Sequence, residues 1–191
     1  MRYQPTDMLW RGCMIRYAFA DPPYLGCGKK HYGALHSEAA VWDTLEAHKE
    51  LIERMTDEYD GWVYCLTSTS LQDILPFCPS DIRICSWVKP FAVFKPNVNP
   101  GYTWEPVLLW SGRKKRSRKE DTVKDHLSCN ITLRKGLVGA KPKMFCRWVL
   151  NLLGVQAGDV VDDLFPGTGI MSVALEEHFG VFTSNHQWEL F

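Results

Sequence analysis

Short apolar runs alternate with longer amphipathic runs along most of this chain. The apolar runs are rich in aromatic and β-branched residues and have the length of buried strands, at 13–19 (CMIRYAF), 61–67 and 81–88. Residues 37–59 instead place apolar side chains at near-helical spacing after Ser37, a residue type favoured at helix N-caps, and 70–77 predicts a shorter helix. Strand, helix and strand in this order predict an α/β domain with a parallel sheet and crossover helices.

The alternation continues towards the C-terminus. We expect a strand, a helix, a strand and a helix in turn at 105–112, 142–154, 159–165 and 170–180. Gly154 and Gly180 stand where these helices would end, and a last strand would start at residue 181. With 191 residues, 46% of them hydrophobic, the chain is long enough for one substantial core and too short for two comfortable domains. We therefore expect one compact domain over 1–191.

The charged residues constrain the partners of the chain. Lys plus Arg and Asp plus Glu both total 22, so no overall field attracts the protein to nucleic acid or membrane, and any charge effect must be local. The exception is 113–119, where six of seven residues are basic. This run has two interpretations: a solvated loop whose charges repel one another, or a loop that contacts phosphates.

The seven cysteines indicate a reducing compartment. Their number is odd, most lie within apolar stretches, and no Cys-x-x-Cys pair is present, so we expect reduced core thiols and no metal site. The N-terminal stretch MRYQPTDMLWRG lacks the apolar core of a signal peptide, and no apolar run approaches the length of about 18 residues that a membrane helix needs. We therefore expect a cytoplasmic protein without a membrane span.

The first strand ends in a turn of unusual composition, ADPPYLG (20–26). Two consecutive prolines cannot continue a sheet ladder, so the chain must leave the sheet after Asp21. The stretch that follows, GCGKKHYG (26–33), is Gly-rich and basic and predicts a mobile loop. A polar, rigid turn at the end of a buried strand is either a plain surface turn or the position of a functional group.

A glycine-containing turn, PGTG, follows the strand at 159–165 and precedes a helix. Gly167 and Gly169 permit positive φ and leave room for a ligand at a helix N-terminus. No Gly-Lys-Ser/Thr follows, which excludes a P-loop, and the third glycine of a dinucleotide fingerprint is missing. A tight connection between strand and helix and a site for a nucleoside-like ligand both remain open.

Taken together, DPPY after one strand and DLFPGTG after a later one resemble the amino-methyltransferases that methylate exocyclic nitrogens of adenine or cytosine in DNA with S-adenosylmethionine. The resemblance extends to SWVKP (86–90), TWEPVLLWSG (103–112) and the segment from Ala140 to Gly169. It implies a Rossmann-like S-adenosylmethionine-dependent methyltransferase fold. Because the catalytic motif precedes the cofactor motif, it implies the circularly permuted class called beta, and a site-specific enzyme for adenine N6 or, less favoured, cytosine N4.

The resemblance implies a role for each matching residue. Asp21 and the carbonyl of Pro22 would accept hydrogen bonds from the target amino group. Pro23 would help to hold that carbonyl in place, and Tyr24 would stack on an extruded base. The positions that match the family's cofactor site are Lys141, Pro142, Asp163, Phe165, Gly167 and Gly169, with Asn185 replacing part of the usual ribose-binding carboxylate.

The basic run occupies the position of the family's target-recognition region, which 113–139 would form in minimal length. The resemblance implies DNA contacts from Arg113, Lys114, Lys115, Arg116, Arg118 and Lys119. So short a recognition region favours low sequence specificity, and a homodimer would supply more surface for DNA. Two alternatives remain: a degenerate methyltransferase fold that binds nucleic acid or a partner without catalysis, and the same chemistry on RNA.

Overall fold

The computed structural model describes residues 14–34, 37–92, 94, 96–114, 118–119, 121–132 and 139–180. Its strands are β1 (Arg16–Ala20), β2 (Gly61–Cys65), β3 (Arg83–Val88), β4 (Trp104–Trp110), β5 (His126–Ser128) and β6 (Val160–Asp163). Its α-helices are α1 (Gly28–Tyr32), α2 (Leu45–Glu58), α3 (Leu71–Ile74), α4 (Lys143–Leu153) and α5 (Ile170–Phe179). Short 3₁₀ segments lie at Ser37–Asp43, Ser68–Ser70 and Leu75–Phe77.

The six strands form one sheet in the order β5-β3-β4-β2-β1-β6. β1 is parallel to both β2 and β6, β5 is parallel to β3, and β4 is antiparallel to both of its neighbours. The prediction of a fully parallel sheet is therefore wrong at β4. This strand follows β3 through the connection 89–103, which reverses the chain and is closed by the Lys89 N–H bonding Thr103 O at 2.7 Å.

Helices cover both faces of the sheet. The side chains of β1 alternate between them, with Tyr17 and Phe19 in one apolar cluster and Ala18 and Ala20 in the other. The first cluster includes α4 and α5, and the second includes α2 and α3. Burial on both faces explains why β1, β2 and the middle of β4 are nearly continuous apolar runs and do not alternate with polar residues.

Two predicted helix ends agree with the structure. Gly154 and Gly180 end α4 and α5 in the left-handed conformation, each at φ 68°. The predicted helix at 37–59 is divided, because Thr44 caps α2 in an extended conformation and the preceding Ser37–Asp43 is a 3₁₀ segment.

Two short elements were not predicted. The stretch expected to be a mobile loop contains α1, whose first two N–H groups, at Gly28 and Lys29, bond the Asp43 carboxylate at 2.7 and 3.0 Å. The three-residue strand β5 is too short for a hydrophobic pattern to reveal it.

Some of the sequence predictions concern residues that the structure does not describe. The last strand, from residue 181, lies outside the described residues, as do Asn185, Lys115 and Arg116. In the part of the chain that is described, no helix has the length and apolar content needed to cross a membrane.

Candidate active site

The two motif-bearing turns leave the sheet side by side. In the parallel pairing of β1 with β6, Phe19 lies opposite Asp163, and the Leu164 N–H bonds Phe19 O at 2.9 Å. Asp21 lies two residues beyond Phe19, so the Asp-Pro-Pro-Tyr turn and the glycine loop begin at neighbouring positions of the same sheet edge. Crevices at the carboxyl ends of parallel strands are the usual ligand sites of α/β folds.

The Asp21 carboxylate is held by Lys141, which lies just before α4. The Lys141 ammonium donates to both Asp21 oxygens at 2.7 Å and to the Tyr24 hydroxyl at 3.0 Å. The Lys141 side chain is 5% exposed and that of Asp21 is 17% exposed. All three ammonium protons therefore have acceptors in a site largely shielded from water.

A second ion pair continues this network. The Tyr24 hydroxyl, which accepts from Lys141, donates to Glu105 Oε2 at 2.8 Å, and the Lys89 ammonium pairs with Glu105 Oε1. Sequence reasoning did not assign Glu105 or Lys89 to a site. Their charges at the end of β3 and the start of β4 were visible, but only an antiparallel β4 brings both to the edge occupied by Asp21.

The four charges balance one another, and burial perturbs the pKa values of Asp21, Lys141 and Glu105. Burial raises the pKa of Asp21, and the nearby Lys141 offsets only part of that rise. Burial lowers the pKa of Lys141, but the carboxylates of Asp21 and Glu105 outweigh it, so that pKa stays above its ordinary value. Burial would raise the pKa of Glu105, yet the two ammonium groups of Lys141 and Lys89 hold it below its usual range. Two carboxylates and two ammonium groups leave the site close to neutral.

A cavity of about 480 Å³ opens above this network. Asp21, Pro22, Lys141 and Glu105 line it together with the aromatic residues Tyr24, Tyr32, Trp87, Tyr102 and Trp104. The volume lies within the range of about 300–1,000 Å³ that is typical of small-molecule sites. Several aromatic side chains around convergent polar groups suit a flat heterocycle that carries a hydrogen-bond donor.

The glycine loop adopts the conformation that its sequence favours. Gly167 and Gly169 have φ values of 47° and 70°, and Gly169 is the N-cap of α5. Asp163 Oδ1 accepts a hydrogen bond from the Phe165 N–H at 3.2 Å, and burial raises the pKa of Asp163 to about 6. Asp163 has no cationic partner among the described residues, so a bound ammonium would stabilise its ionised form.

Asp162 and Pro142 make contacts outside the glycine loop. Asp162, the neighbour of Asp163, forms an ion pair with Arg16 at 2.6 Å, which leaves Asp163 as the loop carboxylate. Pro142 caps α4 through its carbonyl, which accepts from the Phe145 N–H at 2.9 Å. The structure brings the Lys141 ammonium to Asp21, and its hydrogen bonds do not extend to the glycine loop.

The basic run begins at the opposite edge of the sheet. β4 spans seven residues, or about 20 Å, and carries the chain away from Glu105 to Trp110, which pairs with Trp62 at the start of β2. Arg113 then forms an ion pair with Asp159 at 2.8 Å, with side chains 15% and 3% exposed.

The remaining described cations of the run, Lys114, Arg118 and Lys119, are exposed. The segment returns to the sheet at the same far edge, where Asp125 pairs with Arg83 at the start of β3. The structure does not bring the described residues of the basic run to the cavity.

The architecture is the mixed α/β fold of the S-adenosylmethionine-dependent methyltransferases. Among solved structures, a crystal structure of an M1.HpyAVI-SAM complex has a TM-score of 0.53 and 18% sequence identity, and the match covers 86% of this chain and 78% of that one. A crystal structure of M1.HpyAVI has a TM-score of 0.53 and 13% identity, over 86% and 76% of the two chains. At these identities the likeness concerns the fold. No protein-family model and no curated protein sequence matches the chain.

Proposed function

We propose that this protein transfers the methyl group of S-adenosylmethionine to an exocyclic amino group in DNA. The observation that carries the proposal is the juxtaposition of Asp21 and the glycine loop, since methyl transfer needs an amine-binding group and a cofactor site at one edge of the sheet. The structural likeness to M1.HpyAVI, one of whose structures is a complex with SAM, supports this choice of cofactor.

The residues of the glycine loop fit the proposed cofactor. Asp163 would bind the ammonium of its amino-acid part, which would lower the raised pKa of this carboxylate. Gly167 is open to solvent, since a Cβ at this position would meet only Phe165 O at 3.7 Å. Phe165, whose ring packs against Trp42 with centroids 5.0 Å apart, would supply an apolar wall. Bound S-adenosylmethionine supplies a methyl group made electrophilic by the sulfonium sulfur.

Asp21 and Pro22 would prepare the amine. In the family that the motif resembles, the two N–H groups of the target amine donate hydrogen bonds to the Asp carboxylate and to the carbonyl of the next residue. This draws the nitrogen towards tetrahedral geometry and frees the lone pair otherwise delocalised into the ring. Pro22 is buried and its φ is restricted by its ring, so the acceptor is preorganised and little reorganisation is needed during reaction.

The target that we propose is adenine N6, with cytosine N4 as the less favoured choice. Asp at the first motif position is typical of adenine enzymes in the resembling family, and this resemblance is the reason for the preference. An amino group inside a duplex cannot reach the site, so the base must be extruded into the cavity. Tyr24 would stack on it, with its ring position fixed by the two hydrogen bonds of its hydroxyl.

We propose that DNA lies over the mouth of the cavity, beside the 89–103 connection. The aromatic side chains of Phe91, Phe94, Tyr102 and Trp104 are exposed there by 38–86%, and aromatic rings bind unpaired bases by stacking. The exposed cations of the basic run remain a proposed phosphate contact, outside the cleft. A homodimer would bring a second such surface to DNA.

The test is methyl incorporation by the wild-type protein and by an Asp21→Ala variant. We expect wild-type protein with S-adenosylmethionine to produce N6-methyladenine in DNA, measured by mass spectrometry of the nucleosides. Asp21→Ala should lose at least about 100-fold in kcat, because an oriented acceptor contributes on that scale, while calorimetry shows unchanged cofactor affinity. Asp57→Ala on the exposed face of α2 is the matched control and should behave as wild type.

The alternatives predict different results. Full activity of Asp21→Ala would refute the assignment of the site. Absence of cofactor binding at millimolar concentrations would favour a fold that binds nucleic acid without catalysis. Greater incorporation into RNA than into DNA of matched sequence would assign the same chemistry to RNA.

A further inference from the structure

Lys141 belongs to the cofactor site by family resemblance, but its contacts are with the candidate catalytic residue. Its ammonium lies 2.7 Å from each oxygen of Asp21 and 3.0 Å from the Tyr24 hydroxyl. The ammonium also lies over the Tyr24 and Phe145 rings, 5.3 and 5.8 Å from their centroids. A buried ammonium with three acceptors and aromatic contacts is held in one position.

Glu105 acts on the same ammonium from the other side. Tyr24 accepts from Lys141 and donates to Glu105, so the hydroxyl links the two charges without a direct ion pair between them. Glu105 is 16% exposed and its second oxygen pairs with Lys89. Its negative charge attracts Lys141 and disfavours a second negative charge on Asp21.

We infer that Lys141 and Glu105 are positioning residues with opposite effects on Asp21: Lys141 holds the carboxylate ionised and oriented towards the cavity, and Glu105 works against its ionisation. The inference rests on the proposed methylation. Each carboxylate oxygen has a second lone pair, so an amine can bind Asp21 while Lys141 stays in place. An ionised Asp21 is needed because a protonated carboxyl group would turn an O–H donor, in place of an acceptor, towards Lys141 or the amine.

The charges around Asp21 give the sign of each effect. Burial is the largest influence and raises the pKa of Asp21, Lys141 lowers it, and Glu105 raises it further. The other titratable groups that interact electrostatically with Asp21 lie on its own turn, on α1, on β2, on β6 and on α4, and are Tyr24, Tyr32, Tyr64, Cys65, Asp163 and Cys146. Among the described residues around Asp21, Lys141 supplies the one ammonium in contact with its carboxylate.

The test compares Lys141→Met and Glu105→Gln with wild type in the full-length protein. The pH dependence of kcat/KM for DNA is measured from about pH 5 to about pH 9.5, and calorimetry gives the affinity for S-adenosylmethionine. We expect the acid limb of Lys141→Met to move to higher pH by about one unit or more, and that of Glu105→Gln to move to lower pH. Cofactor affinity should change by less than about threefold in both variants.

Two further variants complete the design. Lys141→Arg keeps the positive charge and should keep the acid limb near its wild-type position, which also separates charge from folding defects. Lys143→Met is the matched control, because this neighbouring lysine is exposed and pairs with Glu177 on α5. It should leave the pH profile and the activity unchanged.

Several results would overturn the inference. A tenfold or greater loss of cofactor affinity in Lys141→Met would return Lys141 to the cofactor site. Lack of turnover by Lys141→Met at every pH would give it a direct chemical role, and acid limbs that move in the same direction in both variants would contradict the opposing effects. If wild-type protein methylates no nucleic acid, the proposed function fails first and the inference falls with it.

Discussion

Replacing Arg113 with Met should destabilise the fold and leave the proposed DNA binding intact. Arg113 donates two hydrogen bonds to Asp159, at 2.9 and 2.8 Å, and a third to the Gly154 carbonyl at 3.1 Å. Asp159 also accepts from the N–H groups of Ile15 and Gln156. The ion pair therefore joins the exit from β4, the α4–β6 connection and the chain entering β1, all at the edge opposite the cavity.

The expected loss can be derived from this geometry. Removing one partner of a buried ion pair costs about 3–5 kcal/mol, because the remaining charge is left uncompensated. Asp159 keeps its two backbone donors, so we expect about 3 kcal/mol, the lower end of that range. For a chain of this length, each 1 kcal/mol changes Tm by about 2–4 °C, which predicts a decrease of roughly 6–12 °C.

The loss should also depend on pH. Burial raises the pKa of Asp159, but the Arg113 guanidinium and the two backbone donors outweigh burial and hold the pKa below its usual value. A carboxylate of this kind contributes stability above its unfolded pKa of about 3.9 and loses it as the pH falls. The difference between Arg113→Met and wild type should therefore be largest at neutral pH and shrink below about pH 4.

The assay is urea unfolding across this pH range, with fluorescence anisotropy for DNA binding at a temperature where both proteins are folded. Lys114→Met is the matched control, since Lys114 is the exposed next residue. It should leave stability within about 0.5 kcal/mol of wild type. A stability loss under about 1 kcal/mol in Arg113→Met, together with DNA binding weakened about tenfold, would refute this reasoning.

Two further substitutions test the proposed cofactor site and the packing of α1 against the Ser37–Asp43 segment. Burial raises the pKa of Asp163 to about 6, so the folded state retains this proton more tightly and stability falls as the pH rises from about 4 through 6. Asp163→Asn should therefore stabilise the protein at pH 7.5 in urea unfolding, by clearly less than about 3 kcal/mol because solvent screens part of the effect at this half-buried position, while weakening cofactor binding in calorimetry. A Cβ on Gly28 would lie 2.1 Å from the Ala39 carbonyl oxygen, so Gly28→Ala should cost about 1–3 kcal/mol in the same assay.

The controls for these two substitutions lie next to them in the chain. Asp162→Asn removes a carboxylate paired with Arg16 and should give no gain in stability at pH 7.5. A gain equal to that of Asp163→Asn would contradict the effect assigned to burial. Lys29→Ala, at an exposed position of α1, should be nearly neutral, and an equal loss there would argue against the steric clash at Gly28.

Much of the site could be predicted because its parts are local in sequence. The proline pair ends β1 whatever surrounds it, since it lacks N–H donors, and the conformations of Gly167 and Gly169 follow from the absence of a Cβ. That the two turns share one sheet edge follows from the rule that parallel neighbours end on the same side. The pairing of these two strands, with Phe19 opposite Asp163, was visible only in the structure.

Local sequence by itself determined most of the helices and strands and where several of them end, because propensity, capping and hydrophobic period depend on near neighbours. It did not reveal α1 or β5. Only the tertiary structure decided the direction of β4, since an apolar run buried on both faces has the same hydrophobic pattern in a parallel and in an antiparallel strand. That direction carries Glu105 to Asp21 and sends Arg113 to the opposite edge. The partner of Lys141 was decided in the same way, because a charged side chain before a helix pairs with whatever the fold places within reach, and here that is Asp21, 120 residues away.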